Sequence, residues 1–497
     1  MNDSLSYATL DKLPASVKRP GYDPHSRAVG IVHMGIGNFH RAHQAVFIDD
    51  LLGKTDGDWR IIAVSLRSPA MRDKMREQDY LYTLKEKDAG QEQLRVIGAI
   101  DSVLVAPENP SAVIDALASP NTYVVTITVT EKGYCLIPGS RELDLDNPDI
   151  QSDITRAAAP KTLIGFLLEA SRVRRAKDLP GLNILSCDNL PDNAQLLKHG
   201  LLTAARLQDS ELASWIETHL GFCSTMVDRI VPATTAQHVD SISQATGLSD
   251  AGALLSETFR QWVIEDNFVT RSPNWRLAGA LVVDDVAPYE AMKLRLLNGS
   301  HSALAYMGHL LGFEFIHQAV AEPALKQFVS NLMRQDMVPT LANLQDVDLA
   351  QYCDSILARF ANTAVPYRCQ QVANDGSQKL PQRIIQPLSQ ARAAGKLAIG
   401  PATVIAAWLA YLARSCKQGE EFSINDSGAE KLLPMLTRQQ LTAQFPSLEH
   451  TQALLTHSGL FSKTLLDDTA LMTLIQTTFS RIYREGLATV LNEKVIG

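Results

Sequence analysis

The spacing of apolar positions divides the chain into two parts with different predicted secondary structure. Up to about residue 285, short apolar runs rich in β-branched residues alternate with amphipathic stretches, and Thr122–Thr130 is the clearest predicted strand. The other predicted strands are Ile31–Met34, Trp59–Leu66, Arg95–Gly98 and Leu182–Ser186. This alternation predicts an α/β fold with a mostly parallel sheet and helices on both faces.

From about residue 286 the apolar positions recur with helical spacing, and strand patterns nearly vanish. The predicted helical stretches are residues 290–311, 323–334, 348–360, 400–414 and 468–493. We therefore expect two domains, an α/β domain over residues 1–285 and a mainly α-helical domain over residues 286–497.

Composition narrows the function classes. A hydrophobic content of 45% and a charged content of 20% are typical of a globular protein, and a net charge of −8 argues against nucleic-acid binding. The six cysteines are scattered without a C-x-x-C pair, so we expect no metal site and a reducing cytoplasmic compartment. The start of the chain lacks the apolar core of a signal peptide. The apolar run Ala402–Ala413 is too short to cross a membrane.

A glycine turn follows the first predicted strand. Ile31–Met34 breaks into Gly35-Ile36-Gly37, and an amphipathic stretch continues to Leu52. In this context a G-x-G sequence binds a dinucleotide, because glycines let the backbone approach a pyrophosphate. His40 replaces the usual third glycine, and an ordinary turn is the alternative interpretation. We expect a nucleotide site whose cofactor contacts include Gly35, Gly37, Asn38 and Phe39.

The segment Lys293–His301 carries an ammonium, a carboxamide and an imidazole among leucines. On an α-helix His301 lies about 80° from Lys293, and Asn298 lies about 60° beyond it, so the three share one broad face. An apolar wall lowers the pKa of a lysine toward neutrality, which suits a general base. Asn298 and His301 can hold an oxygen that gains charge. The alternative is a buried helix whose lysine reaches solvent.

Three further polar residues are candidates for the site. Asn189 stands at the carboxyl end of a predicted strand, where ligands of open sheets bind, although an Asx turn is the alternative. Asp228 precedes Arg229, and a structural contact between the two is the alternative to a substrate role. Glu290 lies one helical turn before Lys293, so it could carry protons between the lysine and solvent or merely pair with it.

Several motifs in one order resemble the mannitol dehydrogenase family of polyol-specific long-chain dehydrogenases and reductases. They are Gly35–His43, Thr128–Tyr134, Ser186–Pro191, Thr225–Ile230, Phe259–Asn267, and the spaced set Lys293, Asn298 and His301, which is the family's catalytic signature. The family includes mannitol 2-dehydrogenases, arabinitol dehydrogenases, and fructuronate and tagaturonate reductases. The resemblance implies a Rossmann-type domain followed by a helical domain, and a metal-independent oxidoreductase that uses NAD or NADP.

The resemblance also implies a role for each matching polar residue. The roles concern proton transfer and polar contacts to the reacting oxygen of the substrate. The resemblance implies that Lys293 is the acid and base and that Glu290 links it to water. It implies that Asn189 and Asn298 form the oxyanion site, and that His301 and Asp228 contact the substrate.

One departure from the mannitol dehydrogenases concerns the substrate. Gln371 stands four residues before Asp375-Gly-Ser377, where those enzymes have an arginine that contacts polyol hydroxyls. The following stretch Gln378–Arg383 is more similar to the fructuronate reductases. Its Lys379 and Arg383 could face a substrate carboxylate, which a neutral polyol does not require. A surface loop with solvated charges is the alternative.

Two other features keep the alternatives open. Val29–His33 and Lys293–Ala303 are at least as similar to the mannitol dehydrogenases. After the second strand, Leu66-Arg67-Ser68 lacks the acidic residue that binds a ribose 2′-hydroxyl, and Arg67 could accept a 2′-phosphate. We therefore expect NAD as the cofactor without excluding NADP.

These observations predict an oxidoreductase that interconverts a secondary alcohol and a ketone on an open-chain sugar acid or polyol. The first choice of substrate pair is D-mannonate and D-fructuronate, and the alternative is D-mannitol and D-fructose. A nucleotide-binding sensor or scaffold without turnover is the alternative of another class. We expect a small-molecule substrate and neither a nucleic acid nor a membrane as partner. Monomer and dimer are both compatible with the sequence.

Overall fold

The computed structural model describes residues 3–88, 90–137, 140–342, 344, 347–364, 366–416, 422–426, 428–440 and 444–493. The chain forms two compact units, Met1–Ala287 and Pro288–Gly497, and each is described by itself.

The first unit contains the strands and the longer crossover helices that the alternating pattern predicts. Its strands are β1 Val17–Lys18, β2 Val29–Met34, β3 Arg60–Ser65, β4 Tyr82–Asp88, β5 Gln91–Ile97, β6 Ile100–Val105, β7 Val124–Ile127, β8 Asn183–Ser186, β9 Gly221–Cys223, β10 Thr225–Asp228, β11 Leu254–Ser256, β12 Gln261–Glu265 and β13 Leu281–Val283. Its helices are α1 Asn38–Ala42, α2 Gln44–Leu52, α3 Ala70–Arg76, α4 Pro110–Leu117, α5 Pro148–Thr155, α6 Leu163–Ala176, α7 Asn193–Gln208, α8 Ser210–His219, α9 Ala236–Thr246 and α10 Trp275–Ala278, with 3₁₀ turns at Tyr7–Lys12, Pro24–Ser26 and Glu131–Tyr134.

A six-stranded sheet forms the centre of this unit. Its order is β6-β3-β2-β7-β8-β9, and every neighbouring pair is parallel. Successive residues of β2 face opposite sides, as the two-residue period of a strand requires. Ile31 belongs to the apolar cluster that contains Phe47 of α2, whereas Val32 belongs to the cluster that contains Phe166 of α6. Helices therefore cover both faces, as predicted.

One predicted strand belongs to a different sheet. Arg95–Gly98, interpreted as a third strand of the main sheet, lies at the end of β5, which pairs antiparallel with β4 and parallel with β1. The third strand of the parallel sheet is β6, which begins at Ile100. The first residues of β5 are polar and exposed, so this strand lacks the continuous apolar run of a strand buried on both faces.

The second unit is helical, and its described residues contain no strand longer than an isolated bridge. Its helices are α11 Ala287–Met292, α12 Ser300–Leu310, α13 Ile316–Ala321, α14 Pro323–Asn331, α15 Leu349–Phe360, α16 Cys369–Ala373, α17 Gly376–Leu380, α18 Gln386–Ala393, α19 Ile399–Ser415, α20 Leu433–Gln440, α21 Leu448–Ser458, α22 Lys463–Leu466, α23 Thr469–Glu485 and α24 Leu487–Asn492. Three π-helical segments, Lys293–Gly299, Leu332–Met337 and Pro381–Ile385, and a 3₁₀ turn at Val338–Thr340 join them.

Helix α19 runs through the core of this unit. Every residue from Gly400 to Ala413 is buried, and the helix contacts α12 and α23. The apolar run Ala402–Ala413 is therefore a core helix, as predicted. Across the described ranges, no helix has both the length and the apolarity needed to span a membrane.

Candidate active site

A cavity of about 530 Å³ opens at the carboxyl ends of β2, β3 and β7 in the first unit. Its lining includes the glycine turn after β2, residues 65–67 at the end of β3, the loop after β7, and residues at the starts of α5 and α6. Ligands of open parallel sheets bind at this edge. The volume falls within the range of about 300–1,000 Å³ that is usual for small-molecule sites.

The glycine turn is shaped by Gly35 and open at Gly37. Gly35 has φ +103°, and a Cβ atom there would lie 2.2 Å from the carbonyl oxygen of Thr128, so a larger residue does not fit. The N–H groups of Gly35 and Ile36 both donate to the carbonyl oxygen of Val64 on β3. A Cβ atom at Gly37 would meet nothing closer than 3.9 Å. This exposed backbone fits the close approach of a dinucleotide pyrophosphate.

The other predicted cofactor contacts differ in position. Arg67 is exposed and lines the cavity. The side-chain oxygen of Asn38 accepts a hydrogen bond of 2.7 Å from Arg41, and the ring of Phe39 stacks on His43 with 5.0 Å between centroids. Asn38 and Phe39 thus stabilise the start of α1, and their contact with the cofactor stays a prediction.

A stacked pair of buried histidines supports the glycine turn. The rings of His33 and His40 are 3.4 Å apart and nearly parallel. Nδ1 of His33 bonds the hydroxyl of Thr126 at 2.7 Å, and its Nε2 bonds the hydroxyl of Thr128 at 2.9 Å. Burial lowers the pKa of His33 to about 3, so the ring is neutral. Among the residues that the structure describes, no cluster of three or more His, Cys, Asp or Glu side chains could hold a metal ion.

Asn189 follows β8 and is exposed, while its neighbour Asp188 is buried. The carboxylate of Asp188 accepts hydrogen bonds from the backbone N–H groups of Val129 at 3.1 Å and Thr130 at 2.8 Å, and from the Tyr134 hydroxyl at 3.0 Å. The sequence interpretation gave Asp188 no role. The signal that could have identified Asp188 is its position after the carboxyl end of β8, next to the predicted donor Asn189.

Asp228 is the last residue of β10 and is 4% exposed. Its neighbour Arg229 forms an ion pair with Glu86 and donates to the carbonyl oxygens of Ala42 and Glu257. Arg229 therefore ties β10 to neighbouring parts of the first unit. The substrate role of Asp228 stays a prediction.

In the second unit, Lys293 opens a π-helical turn and is 9% exposed. On the α-helix predicted from the sequence, Lys293 and Asn298 would point about 140° apart. The i→i+5 hydrogen bonds of a π-helix instead place these two residues on adjacent turns of the same side. The predicted α-helical angles are therefore wrong for this pair, and the two polar groups share a face more closely. Glu290 lies in α11, just before this turn.

His301 occupies an aromatic and cationic environment in α12. Its ring stacks on Phe360 at 5.1 Å and meets the edge of Tyr367 at 5.7 Å. Burial, together with the charges of Arg383, Lys379 and Arg359, lowers the pKa of His301 to about 3. Its Nε2 atom is buried and has no hydrogen-bond partner in the described part of the chain. A neutral imidazole with an available nitrogen suits a contact with a substrate hydroxyl.

The two predicted carboxylate-binding residues lie close to His301 in the same unit. Arg383 donates to the Ser302 hydroxyl at 3.1 Å and to the Asn298 carbonyl oxygen at 3.4 Å. Lys379 donates to the Asn374 carbonyl oxygen at 2.5 Å. Burial lowers the pKa of both Lys379 and Arg383. The charge of Arg383 lowers the pKa of Lys379 further, and both cations lower the pKa of His301. Gln371 lies in α16 and is exposed.

The aromatic neighbours of His301 were missed by sequence reasoning. Phe360 and Tyr367 come from α15 and from the segment after it, far from His301 along the chain. No motif or spacing marks them, because the contact depends on how the helices pack.

Both parts of the chain match models of one protein family. Residues 29–277 match the mannitol dehydrogenase Rossmann domain. Residues 285–483 match the mannitol dehydrogenase C-terminal domain.

Individual relatives match over nearly the whole chain. D-mannonate oxidoreductase of Escherichia coli strain K12 is 40% identical over 481 residues, which cover 95% of this chain and 96% of the relative. Mannitol 2-dehydrogenase of Phaeosphaeria nodorum is 36% identical over 477 residues, which cover 95% of this chain and 82% of the relative. The solved Pseudomonas fluorescens mannitol 2-dehydrogenase, a ternary complex with NAD and D-mannitol, is 36% identical with a TM-score of 0.82 and 98% coverage of both chains.

These comparisons confirm four predictions made from the sequence. They are the family, the α/β domain followed by a helical domain, an oxidoreductase that acts on CH–OH groups, and NAD as the cofactor. The roles of the individual site residues and the preferred substrate stay predictions. The chain belongs to the mannitol dehydrogenase family.

Proposed function

We propose that this oxidoreductase interconverts a sugar acid and its keto form, with D-mannonate and D-fructuronate as the preferred pair. The similarity to a D-mannonate oxidoreductase at 40% identity supports this choice. The runner-up is D-mannitol and D-fructose, which the similarity to a mannitol 2-dehydrogenase bound to D-mannitol supports at 36% identity.

The observation that carries the proposal is the pair of cations near His301. In the part of the chain that the structure describes, neither Lys379 nor Arg383 forms an ion pair with a carboxylate. Asp375 and, less strongly, Asp426 attract Lys379 from a distance, and the oxygens of Asp426 already accept hydrogen bonds from Ser377 and from backbone N–H groups. A partly buried cation without a paired anion is costly. A substrate carboxylate would supply that anion through charge-assisted hydrogen bonds.

The residues of the second unit have the chemistry that carbonyl reduction requires. NAD, when bound, carries the hydride. Lys293 is proposed to give its proton to the carbonyl oxygen in reduction and, as the neutral amine that burial favours, to take a proton from the alcohol in oxidation. Asn298 is proposed to donate to the oxygen that gains charge, and His301 to orient it through Nε2. Glu290 is proposed to exchange the proton of Lys293 with solvent.

The first unit is proposed to bind the cofactor and to add one donor. Gly35 and Gly37 hold the backbone where a pyrophosphate approaches it. Asn189 is proposed as the second donor to the reacting oxygen, and each such donor typically contributes about 3–4 kcal/mol. Asp228 is proposed as a substrate contact.

A panel of ketoses and ketouronates tests the substrate. With NADH as the reductant, fructuronate should be favoured over fructose by about 10- to 150-fold in kcat/KM, the effect of one charge-assisted contact. Lys379→Met and Arg383→Met should each erase most of this preference and leave fructose reduction nearly unchanged. Arg368→Met is the matched control, because Arg368 is exposed and paired with Glu314 at 2.6 Å.

Two outcomes would contradict the proposal. If fructose or mannitol is the better substrate of the unmutated enzyme, the sugar-acid proposal is wrong and the mannitol proposal replaces it. If no member of the panel turns over while NADH still binds, the chain has kept the fold and lost the activity.

Arg67 offers a separate test of cofactor choice. It lines the cavity at the end of β3, where an acidic residue would repel a 2′-phosphate. The ratio of kcat/KM for NADH to that for NADPH should rise in Arg67→Ala if the guanidinium accepts that phosphate. An unchanged ratio would show that Arg67 does not contact a 2′-phosphate.

A further inference from the structure

The loop after β7 is held against the glycine turn by hydrogen bonds. Thr128 donates its N–H to the carbonyl oxygen of Met34 and its hydroxyl to that of Gly35, both at 2.9 Å. The same hydroxyl bonds the buried ring of His33 at 2.9 Å. Thr128, Val129, Lys132 and Gly133 all line the cavity that fits the dinucleotide. The shape of this cavity therefore depends on where the loop lies.

The next two residues of the loop are held by Asp188. Its two carboxylate oxygens accept from the N–H groups of Val129 and Thr130, at 3.1 Å and 2.8 Å. Thr130 has φ +69°, which is unfavourable for a β-branched residue. Such a conformation persists only where surrounding contacts hold it in place. The carboxylate of Asp188 provides those contacts, and the Tyr134 hydroxyl adds a third hydrogen bond at 3.0 Å.

The backbone of Asp188 is fixed as well. Its carbonyl oxygen accepts from the side-chain amide of Asn193 at 3.0 Å, and the same amide donates to Thr225 at 2.8 Å. This carbonyl belongs to the peptide group that leads into Asn189. Hydrogen bonds at both ends of the short segment Thr128–Thr130 thus connect the glycine turn to Asp188, the residue before Asn189.

We propose that Asp188 is a positioning residue that holds the cofactor loop and Asn189 in one fixed relation, so that cofactor affinity and turnover depend on the same carboxylate. Its side chain acts on the dinucleotide through Val129 and Thr130. The carboxylate also anchors the backbone that leads into Asn189, and this second part rests on the donor role proposed for Asn189 above.

The cofactor part is tested by the dissociation constant of NADH for the unmutated protein and for two variants, measured by nicotinamide fluorescence without substrate. Asp188→Ala should raise this constant about tenfold or more, because both backbone N–H groups lose a charged acceptor. Asp188→Asn should have a smaller effect, since its amide oxygen can still accept one of the two bonds. An unchanged constant in Asp188→Ala would overturn the proposal.

Asp250→Asn is the matched control for general destabilisation. Asp250 is 1% exposed, accepts from the N–H groups of Thr83 at 2.6 Å and Gly252 at 2.9 Å, and does not line the cavity. Burial raises the pKa of both carboxyl groups. Asp250→Asn should lower the melting temperature about as much as Asp188→Asn while leaving the NADH dissociation constant unchanged. An equal rise of that constant in both variants would make the role of Asp188 merely structural and overturn the proposal.

The effect of Asp188 on turnover through Asn189 is tested by comparing Asp188→Ala in the unmutated enzyme and in the Asn189→Ala variant. At saturating NADH and ketouronate, Asp188→Ala should lower kcat about tenfold or more in the unmutated enzyme but less than about twofold in Asn189→Ala. A full loss that persists in Asn189→Ala would overturn the link through Asn189. If Asn189→Ala alone leaves kcat unchanged, the donor role of Asn189 and the link to it are both wrong, while the NADH dissociation constant still decides the role of Asp188 at the loop.

Discussion

The proposed cofactor region, which is the glycine turn Gly35–Gly37 with the loop after β7, and the Lys293 region, which is Lys293–His301, present their polar groups in opposite ways. The cofactor region is formed by main chain, with Gly35 in a conformation and a space that exclude a side chain. The Lys293 region is formed by side chains, with Lys293 and Asn298 brought onto one side by a π-helical turn. The first region should therefore be sensitive to atoms that are added, and the second to atoms that are removed.

The buried histidines His33 and His301 differ in a similar way, although both ring nitrogens of the neighbouring His40 are buried without a partner in the described residues. His33 uses both ring nitrogens in hydrogen bonds within the first unit, at 2.7 Å to Thr126 and 2.9 Å to Thr128. His301 keeps a buried Nε2 without a partner in the described residues of its unit. An unsatisfied buried polar group in a native fold calls for an explanation. The two hydrogen bonds of His33 support the fold, whereas the available nitrogen of His301, close to Lys379 and Arg383, is suited to a ligand.

Removal of the Lys293 amine should have the largest effect. Lys293→Ala should lower kcat by at least about 100-fold, because general acid–base catalysis typically contributes a factor of that size or more. The NADH dissociation constant should barely change, and the acidic limb of the pH profile for alcohol oxidation should disappear. Both are measured by steady-state kinetics and fluorescence titration. Lys326→Ala, on an exposed part of α14, is the control. Near-normal turnover in Lys293→Ala would mean that Lys293 is not the acid and base and has only a structural role.

Addition of one methyl group should have different effects at Gly35 and at Gly37, the two glycines of the turn. Gly35→Ala should lower the melting temperature and raise the NADH dissociation constant about tenfold, because its Cβ atom would lie 2.2 Å from the carbonyl oxygen of Thr128. Gly37→Ala should leave the melting temperature of the cofactor-free protein unchanged, since the nearest atom would be 3.9 Å away. It should still weaken NADH binding if the pyrophosphate approaches this backbone. Equal melting temperatures for the two variants would contradict the contrast.

The sequence predicted the parts of the fold that rest on long apolar runs. The strands Trp59–Leu66 and Leu182–Ser186 were predicted within a few residues of β3 and β8, because buried parallel strands read as continuous apolar segments. The half-exposed strand β5 lacks that signal, and its assignment to the main sheet was wrong. The short strands β10–β13 carry too few residues for a period to be read.

The sequence predicted those site residues whose side-chain type differs from that of their neighbours, but not the contacts that depend on folding. Lys293, Asn298 and His301 stand out because polar groups are rare in a leucine-rich segment. The π-helical turn could not be predicted, since the leucines of this segment fit α-helical spacing equally well. The aromatic contacts of His301 with Phe360 and Tyr367 depend on helix packing over a long separation in sequence.

The two regions should respond alike to acid but differ in function. Burial lowers the pKa of His33 and of His301 from 6.5 to about 3, with Arg383, Lys379 and Arg359 adding to the effect at His301. The contribution of each histidine to the free energy of unfolding is therefore complete above about pH 6.5 and is lost as the pH falls toward 3. The reason is that the unfolded chain takes up a proton at each histidine while the folded chain does not. Each histidine should contribute about 1 kcal/mol to the loss of unfolding free energy between pH 7.5 and 5.5.

Urea unfolding at the two pH values measures this loss. His33→Gln and His301→Gln should each reduce the pH dependence by about that amount. Only His301→Gln should also lower kcat/KM for the ketouronate without changing the NADH dissociation constant. A pH dependence that neither variant reduces would place the titrating groups elsewhere.

Chelation of metal ions should have no effect on either region. The cofactor region holds three histidines, His33, His40 and His43, which together would be the natural place to look for a bound zinc ion. Both nitrogens of His33 are already used by protein groups, and His43 bonds the carbonyl oxygen of Gln261 at 2.8 Å through Nε2. The rings of His33 and His40 face each other in a stack, which does not direct their nitrogens to one ion. Overnight treatment with EDTA followed by gel filtration should therefore leave kcat and the NADH dissociation constant unchanged. A loss of activity that Zn²⁺ alone restores would mean that the reaction is metal-dependent, and the proton transfer proposed for Lys293 would then have to be assigned again.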